Sequence, residues 1–308
     1  MRVITDSAAL PSAISLPVLT MGTFDGVHRG HQQLLARLRE ASAERGGTAT
    51  VLTFRPHPAA VLRPDKAPAL IETWARRREL LAKSGVEVLV ELDFSRALSE
   101  WSARSFVEQL LVKAIGVSHI VAGPDTRFGQ GRIGDAALLT QMGSDHGFTV
   151  ESVGTVSRGG GVVSSSRIRR LIAETGDVEA AADLLGRPFR IVGTVVTGAQ
   201  RGRTIGFPTA NVAPETQLKP ATGVYAGWAH HAGGRHAAMI NVGYKPTFGE
   251  LALTTEAYLL DFEGDLYGQS LELDLVHRLR GEQKFAGIDA LVAQITADVA
   301  AGRALLLP

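Results

Sequence analysis

Gly22-Thr23-Phe24-Asp25-Gly26-Val27-His28-Arg29-Gly30-His31 is the stretch on which the fold turns. It follows a short apolar run, Val18-Leu19-Thr20-Met21, that reads as a buried strand. It precedes residues 32–43, where Leu34, Leu35, Leu38 and Ala41 recur at helical spacing. Strand, glycine-rich turn, helix is the unit from which open parallel sheets are built, and such sheets bind ligands at that turn. The helix N-terminus offers unsatisfied N–H groups to a phosphate. Glycine lets the backbone approach a nucleotide closely, and His28 and His31 can donate hydrogen bonds to phosphate oxygens whose charge grows during transfer. The plainer reading is a flexible turn with two solvated histidines. Two histidines around a glycine, directly after Phe-Asp-Gly and opening a helix, favour the phosphate reading.

Working outward, residues 18–153 alternate between strand and helix patterns. Strands are predicted at 18–21, 49–54, 86–92, 119–123 and 148–153, and helices at 32–43, 74–83, 103–115 and 136–146, the third capped by Ser102. This alternation predicts a doubly wound α/β parallel sheet. Helices follow at 167–174 and, capped by Asp177, at 178–185. The pattern breaks at Gly186-Arg187-Pro188, where a domain boundary is placed, giving domains 1–185 and 186–308. Beyond it, strands are predicted at 190–197, 224–230, 236–242, 254–262 and 271–279, and a helix at 288–300. Short strands with Gly and Pro turns and one late helix predict a small antiparallel β-barrel with a C-terminal helix.

The totals agree with two ordinary globular domains. The chain has 308 residues, 45% of them hydrophobic, with 32 Lys plus Arg against 31 Asp plus Glu. A net charge of +1 gives no bulk attraction to nucleic acid or membrane. There is no cysteine, so neither a disulfide framework nor a thiolate metal site is available. No apolar run is long enough to span a bilayer and residues 1–6 lack a signal-peptide core, so a cytoplasmic protein is expected.

Further motifs fall at the predicted C-terminal ends of strands. Pro56-His57-Pro58 follows the second strand, and its two prolines stiffen the backbone around His57, as a rigid turn or as a binding wall. Gly123-Pro124-Asp125-Thr126-Arg127-Phe128-Gly129 follows the fourth. After the fifth, Ser164-Ser165-Ser166-Arg167 can cap a helix and place hydroxyls, N–H groups and a guanidinium around a triphosphate. In the second half, Gly198-Ala199-Gln200-Arg201-Gly202-Arg203-Thr204-Ile205-Gly206-Phe207-Pro208-Thr209-Ala210-Asn211 is a glycine-arginine loop able to wrap a triphosphate, without a Walker ending. Thr209 and Asn211 offer two oxygens, a reasonable Mg²⁺ pair when phosphates supply the rest.

The first of these motifs, Gly22-x-Phe24-Asp25-Gly26-x-His28-x-Gly30-His31, resembles the histidine signature of the nucleotidyltransferase superfamily in its bacterial FAD synthetase form. The Phe54–Pro58, Gly123–Gly129 and Ser164–Arg169 segments resemble that branch too, in the same order. Gly206-Phe207-Pro208-Thr209-Ala210-Asn211 resembles the riboflavin kinase signature. Asn241–Phe248, Glu256–Phe262 and Arg280-Gly281-Glu282-Gln283-Lys284-Phe285 continue the resemblance. Together they are similar to the bacterial bifunctional riboflavin kinase/FAD synthetase family.

The resemblance implies two ATP-dependent steps, riboflavin to FMN in the barrel and FMN to FAD in the N-terminal domain, with Mg²⁺ shielding the triphosphates. It implies ATP contacts for adenylyl transfer at Gly22, Phe24, Asp25, Gly26, His28, Gly30, His31, Ser165, Ser166 and Arg167. Flavin contacts are implied at Pro56, His57, Pro58 and Asp125. For the kinase it implies ATP contacts at Gly198, Gly202, Arg203, Gly206, Pro208, Thr209 and Asn211, flavin contacts at Arg280 and Phe285, and Glu256 as general base. Thr126 departs from the family pattern, which commonly has an aromatic there, and Tyr258 stands where histidine is frequent. The alternatives are a flavin-binding or sensing protein with one module inactive, and a nucleotidyltransferase for another phosphorylated acceptor. The intact motifs of both halves speak against each, and balanced charge speaks against a nucleic-acid partner. The expected partners are riboflavin, FMN, FAD and ATP, with oligomerisation left open.

Overall fold

The computed structural model describes residues 1–10, 13–198, 201–247 and 250–307. Ala199 and Gln200 of the glycine-arginine loop, and Phe248 of the Asn241–Phe248 motif, lie outside the described residues. The chain divides into two compact units, Met1–Ala69 with Trp74–Val163, and Leu70–Thr73 with Ser164–Pro308.

The first unit is built on six parallel strands, β1 (Arg2–Ile4), β2 (Pro17–Met21), β3 (Thr48–Arg55), β4 (Val88–Asp93), β5 (His119–Ala122) and β6 (Thr149–Ser152), in the order β1-β4-β3-β2-β5-β6. The intervening helices are α1 (Arg29–Arg45), α2 (Pro58–Leu62), α3 (Trp74–Lys83), α4 (Arg96–Ser99), α5 (Ala103–Ser105), which runs on as the wider turn Phe106–Ile115, and α6 (Ala136–His146). Both faces are covered, as the near-continuous apolar strands require. Successive strand residues point to opposite sides. Leu19, Leu52, Val90 and Ile120 pack on one face with Phe106, Leu110 and Leu139. Val18, Val51, Leu89 and Val121 pack on the other with Leu34, Leu35 and Leu38 of α1 and Leu81 of α3. The doubly wound sheet is therefore as expected, with one strand more than the sequence pattern revealed: β1, three residues on the edge beside β4. Strand order reverses at β2, which has β3 on one side and β5 on the other. The His28–His31 turn after β2 thus sits at the switch point, where such sheets open a crevice. A small hairpin, β7 (Ser157–Arg158) and β8 (Gly161–Val162), follows.

The second unit opens with α7 (Ser165–Arg170), extended by Leu171–Thr175, and α8 (Val178–Leu185). The strands β9 (Phe189–Val196), β10 (Ala210–Pro214), β11 (Gly223–His231), β12 (Gly234–Thr247), β13 (Glu250–Leu259) and β14 (Ser270–Arg280) close into an antiparallel barrel ordered β10-β13-β12-β11-β14-β9, with α9 (Arg201–Thr204) between β9 and β10. Alternation fills the interior: Phe189, Ile191, Ile240, Val242, Ala257, Leu273 and Leu275 are buried and face one another in register. The last helix, α10 (Ile288–Leu306), lies on the outer wall, where Leu306 joins Ala226, Met239 and Leu260. The barrel and its C-terminal helix match the sequence expectation. The strand β10 does not appear in that expectation, because its residues Ala210 and Asn211 read as the end of a phosphate loop.

Candidate functional sites

At the end of β2, Gly22 N–H extends the ladder by donating to Leu52 O at 3.1 Å. The chain then takes positive φ at Phe24 (48°), Gly26 (85°) and Val27 (36°). Such backbone angles are costly for residues with a Cβ and persist only where the surroundings impose them. Here Phe24 and Val27 are each 1% exposed in the core against Leu34 and Leu35. Between them Asp25 is fully buried, its Oδ1 accepting from Arg77 Nη2 of α3 at 2.8 Å. Asp25 thus anchors the turn inward, whereas the sequence placed it among ATP contacts.

The turn delivers His28 as the N-cap of α1. His28 Nδ1 accepts from His31 N–H at 3.3 Å, so in the neutral ring the proton resides on Nε2 and that nitrogen is a donor. The two imidazoles stack with centroids 3.7 Å apart and planes 12° apart, and the ring of Phe24 lies 5.0 Å from that of His31. Gly30 makes this possible: a Cβ there would sit 3.2 Å from His28 Cε1. A paired imidazole donor set above a helix N-terminus is suited to a polyphosphate.

The other predicted groups of this unit lie at neighbouring strand ends. Beyond β3 the Arg55–Pro56 peptide is cis. His57 caps α2, its Nδ1 accepting from Ala59 N–H at 3.1 Å, with Pro58 in the first turn. Beyond β5, Asp125 is exposed, while Thr126 is buried and closes a turn by donating its N–H to Gly123 O. Phe128 packs against Phe106 with tilted rings whose centroids are 5.4 Å apart, and its loop is pinched shut by the bridge to Gly134. Ser165, Ser166 and Arg167 belong to the second unit. There Ser164 is the N-cap, accepting from Arg167 N–H at 3.3 Å, so Ser165 and Ser166 form the first turn of α7 rather than its cap.

In the barrel, β10, β13 and β12 run side by side, with Asn211 opposite Glu256 and Glu256 opposite Asn241. Their neighbours Val212, Ala257, Ile240 and Val242 point inward, so the row Asn211–Glu256–Asn241 lies on the outer wall. Thr209, just before β10, donates its hydroxyl to Glu256 Oε2 at 3.5 Å. Gly198 packs directly on the Asn211 carboxamide, leaving no room for a Cβ. Gly202 is wrapped by the turn in which Phe207 N–H donates to its carbonyl at 2.8 Å, Gly206 takes φ 87°, and Arg203 and Pro208 are exposed. Arg280 donates to both oxygens of the buried Asp298 on α10, Nε to Oδ1 at 3.1 Å and Nη2 to Oδ2 at 2.8 Å, and its guanidinium lies 5.6 Å from the centre of the Phe285 ring. It thus ties α10 and Phe285 to the strand end. Among the described residues no group of three or more His, Asp or Glu gathers as a metal site.

Sequence reasoning missed Arg77, which stands in the run Arg76-Arg77-Arg78 and looks like a solvated basic face. The structure gives each arginine a different acid: Glu79 for Arg76, Asp25 for Arg77 and Glu91 for Arg78. It also passed over Glu282, whose Oε1 accepts from Tyr244 N–H at 3.2 Å, and gave Asn241 no role.

Fold and sites together define a two-domain enzyme of phosphoryl and nucleotidyl transfer. A family model for FAD synthetase matches residues 12–167, and one for riboflavin kinase matches residues 185–306. A bifunctional riboflavin kinase/FMN adenylyltransferase of Pseudomonas fluorescens is 43% identical over 94% of this chain and 93% of its own length. The protein of that name from Escherichia coli K12 is 40% identical over 91% and 90%. A crystal structure described as a macrolide-efflux protein from Streptococcus pneumoniae superposes with a TM-score of 0.89, at 34% identity over 98% of both chains. Here no helix among the described residues is long and apolar enough to cross a membrane. The chain belongs to the bifunctional riboflavin kinase/FMN adenylyltransferase family, with the adenylyltransferase half first and the kinase half second.

Proposed function

We propose that the barrel phosphorylates riboflavin with ATP to give FMN and ADP, and that the N-terminal domain joins FMN to ATP, giving FAD and pyrophosphate. The functional division is taken at 185/186. The observation that carries the kinase reading is the convergence of Thr209, Asn211 and Glu256 on one stretch of outer barrel wall. Glu256 takes the proton of the ribityl 5′-hydroxyl as that oxygen attacks the γ-phosphorus and the bond to ADP breaks. Thr209 Oγ1 and the Asn211 carboxamide oxygen are neutral hard donors beside that carboxylate, a set that fits Mg²⁺ held mainly by phosphates. When bound, Mg²⁺ supplies charge neutralisation of the triphosphate. The loop carrying Gly198, Gly202, Arg203, Gly206 and Pro208 cradles the ATP, and Arg280 and Phe285 border the flavin.

For adenylyl transfer, an FMN phosphate oxygen attacks the α-phosphorus and pyrophosphate leaves, so no side-chain nucleophile is needed. His28 and His31 donate to the phosphate oxygens as charge builds. Gly22, Phe24, Gly26 and Gly30 shape the turn, and Asp25 anchors it. Pro56, His57, Pro58 and Asp125 border the flavin. Ser165, Ser166 and Arg167 are assigned to ATP on the motif they carry. The enzyme works in the cytoplasm on dissolved small molecules, with no nucleic acid or membrane as partner, in keeping with its net charge of +1. A chromatographic assay tests this: full-length protein with ATP and Mg²⁺ receives riboflavin in one tube and FMN in another. FAD in both is expected, and absence of product in both overturns the reading.

A further inference from the structure

Arg77 meets the His28–His31 turn at Asp25, and nothing in the chemistry above uses it. It is 2% exposed and Asp25 is 0% exposed, with 2.8 Å between Nη2 and Oδ1. Asp25 lies within the four-residue stretch that contains three positive φ angles. That stretch leads directly into His28, the cap residue whose Nδ1 fixes the first turn of α1. The other face of the Arg77 guanidinium is also engaged: it lies 4.2 Å from the Trp74 ring centroid, and Arg55 lies 5.3 Å from the same ring. Arg55 ends β3 and is joined to Pro56. A continuous strut, Asp25–Arg77–Trp74–Arg55, therefore connects the histidine turn to the Pro56–Pro58 segment. Its two ends are the segments assigned above to ATP and to flavin.

A fully desolvated ion pair is a poor device for stability alone, because desolvation offsets most of its attraction. Its geometry, in contrast, is strict, and a guanidinium gripped by a carboxylate and stacked on an indole has little freedom. Resting on the proposed adenylyl transfer, we infer that Arg77 is a positioning residue for that step. It holds the strained turn so that the His28 and His31 donors meet the phosphate oxygens of the transition state, in register with the flavin segment. Small displacements of such donors act on kcat more than on ground-state binding.

The test uses the full chain carrying Arg77→Met, Arg77→Lys or Asp25→Asn. FAD formation from FMN and ATP is measured with kcat and KM separated, and FMN formation from riboflavin serves as an internal control. For Arg77→Met, kcat of adenylyl transfer is expected to fall on the order of 10- to 100-fold, with KM for ATP and FMN nearly unchanged and FMN formation intact. Arg77→Lys, which keeps the charge but not the planar, stacked guanidinium, is expected to recover only part of the rate. An unchanged kcat, an equal fall in both activities, or a lysine variant no better than methionine overturns the inference. Should Arg77→Met be insoluble, Asp25→Asn decides: it keeps shape and an acceptor, and a lowered kcat at constant KM supports the role whereas a wild-type kcat overturns it. If the unaltered chain makes no FAD, the proposed function itself fails, a result distinct from these.

Discussion

Asn211 and Glu256 stand directly opposite each other on the paired strands β10 and β13, and Thr209 donates to the same glutamate at 3.5 Å. Two neutral oxygen donors thus flank one carboxylate, the arrangement needed for a metal-bound triphosphate on one side and a deprotonated hydroxyl on the other. Glu256→Gln keeps the volume and one acceptor oxygen and replaces the carboxylate proposed as base with a neutral amide. FMN formation from riboflavin is expected to fall on the order of 10²- to 10⁴-fold, while FAD formation from supplied FMN stays at the parent rate. Loss of both activities in a folded protein would show that the two sites are not independent.

Gly198 supports Asn211 by having no side chain. A Cβ at this position would overlap the Asn211 carboxamide, so Gly198→Ala pushes that group off its place. The kinase step is expected to lose at least ~10-fold in kcat/KM, on the scale of a displaced catalytic contact, with adenylyl transfer unaltered. Wild-type kinase kinetics in the alanine variant would mean that Asn211 moves without consequence and holds no metal or phosphate.

The Thr209 hydroxyl can bind a cation with its lone pairs while its O–H still donates to Glu256 Oε2. Chelation of Mg²⁺ is expected to stop both reactions. A Mg²⁺ titration of Thr209→Val should shift the half-maximal metal concentration upward for FMN formation alone. An unshifted titration would remove Thr209 from the metal site.

Much of this was legible in the chain, for physical reasons that also explain what was not. Alternating apolar strands and amphipathic helices carry their period in sequence, so β2 to β6 and the barrel could be anticipated. The edge strand β1 has only three residues, too few for a period, and is held by pairing with β4. Pairing register can span long loops: that Asn211 meets Glu256 follows from barrel closure and from nothing local, whereas Glu256 meets Asn241 along the hairpin of consecutive strands β12 and β13. Burial of charge was the hardest to see. Asp25 and Arg77 are 52 positions apart and fully desolvated together, yet Asp25 stands in a glycine-rich turn and Arg77 in a run of three arginines, settings that make each look solvated.

His28 plays two parts that one pair of substitutions separates. As N-cap it accepts the His31 N–H through Nδ1, and as donor it has Nε2. Asn is among the best N-caps, so His28→Asn keeps the cap and loses the imidazole. His28→Ala loses both and should cost about 0.5–2 kcal/mol of stability, read as a lowered denaturant midpoint. Both variants are expected to lose FAD synthesis and retain FMN synthesis. If His28→Asn kept adenylyl transfer, the histidine would be a cap only.

His119 gives the first unit a defined sensitivity to acid. Its side chain is 3% exposed at the start of β5, with Nδ1 2.6 Å from Thr149 Oγ1 and Nε2 facing Glu151. Burial holds its pKa below the ordinary histidine value, helped by Arg45, against the opposing pull of Glu151. The unfolded chain titrates at ~6.5. Between that value and the lowered native one, the unfolded state binds more protons than the native state, so stability rises with pH across this window. The contribution is complete above ~6.5 and is lost as pH falls towards and through the native value. Urea midpoints measured from neutral to mildly acidic pH should therefore decline more steeply for the parent than for His119→Gln, which cannot take up the proton. Parallel declines would assign the acid sensitivity to other groups and leave His119 a neutral packing residue at every pH tested.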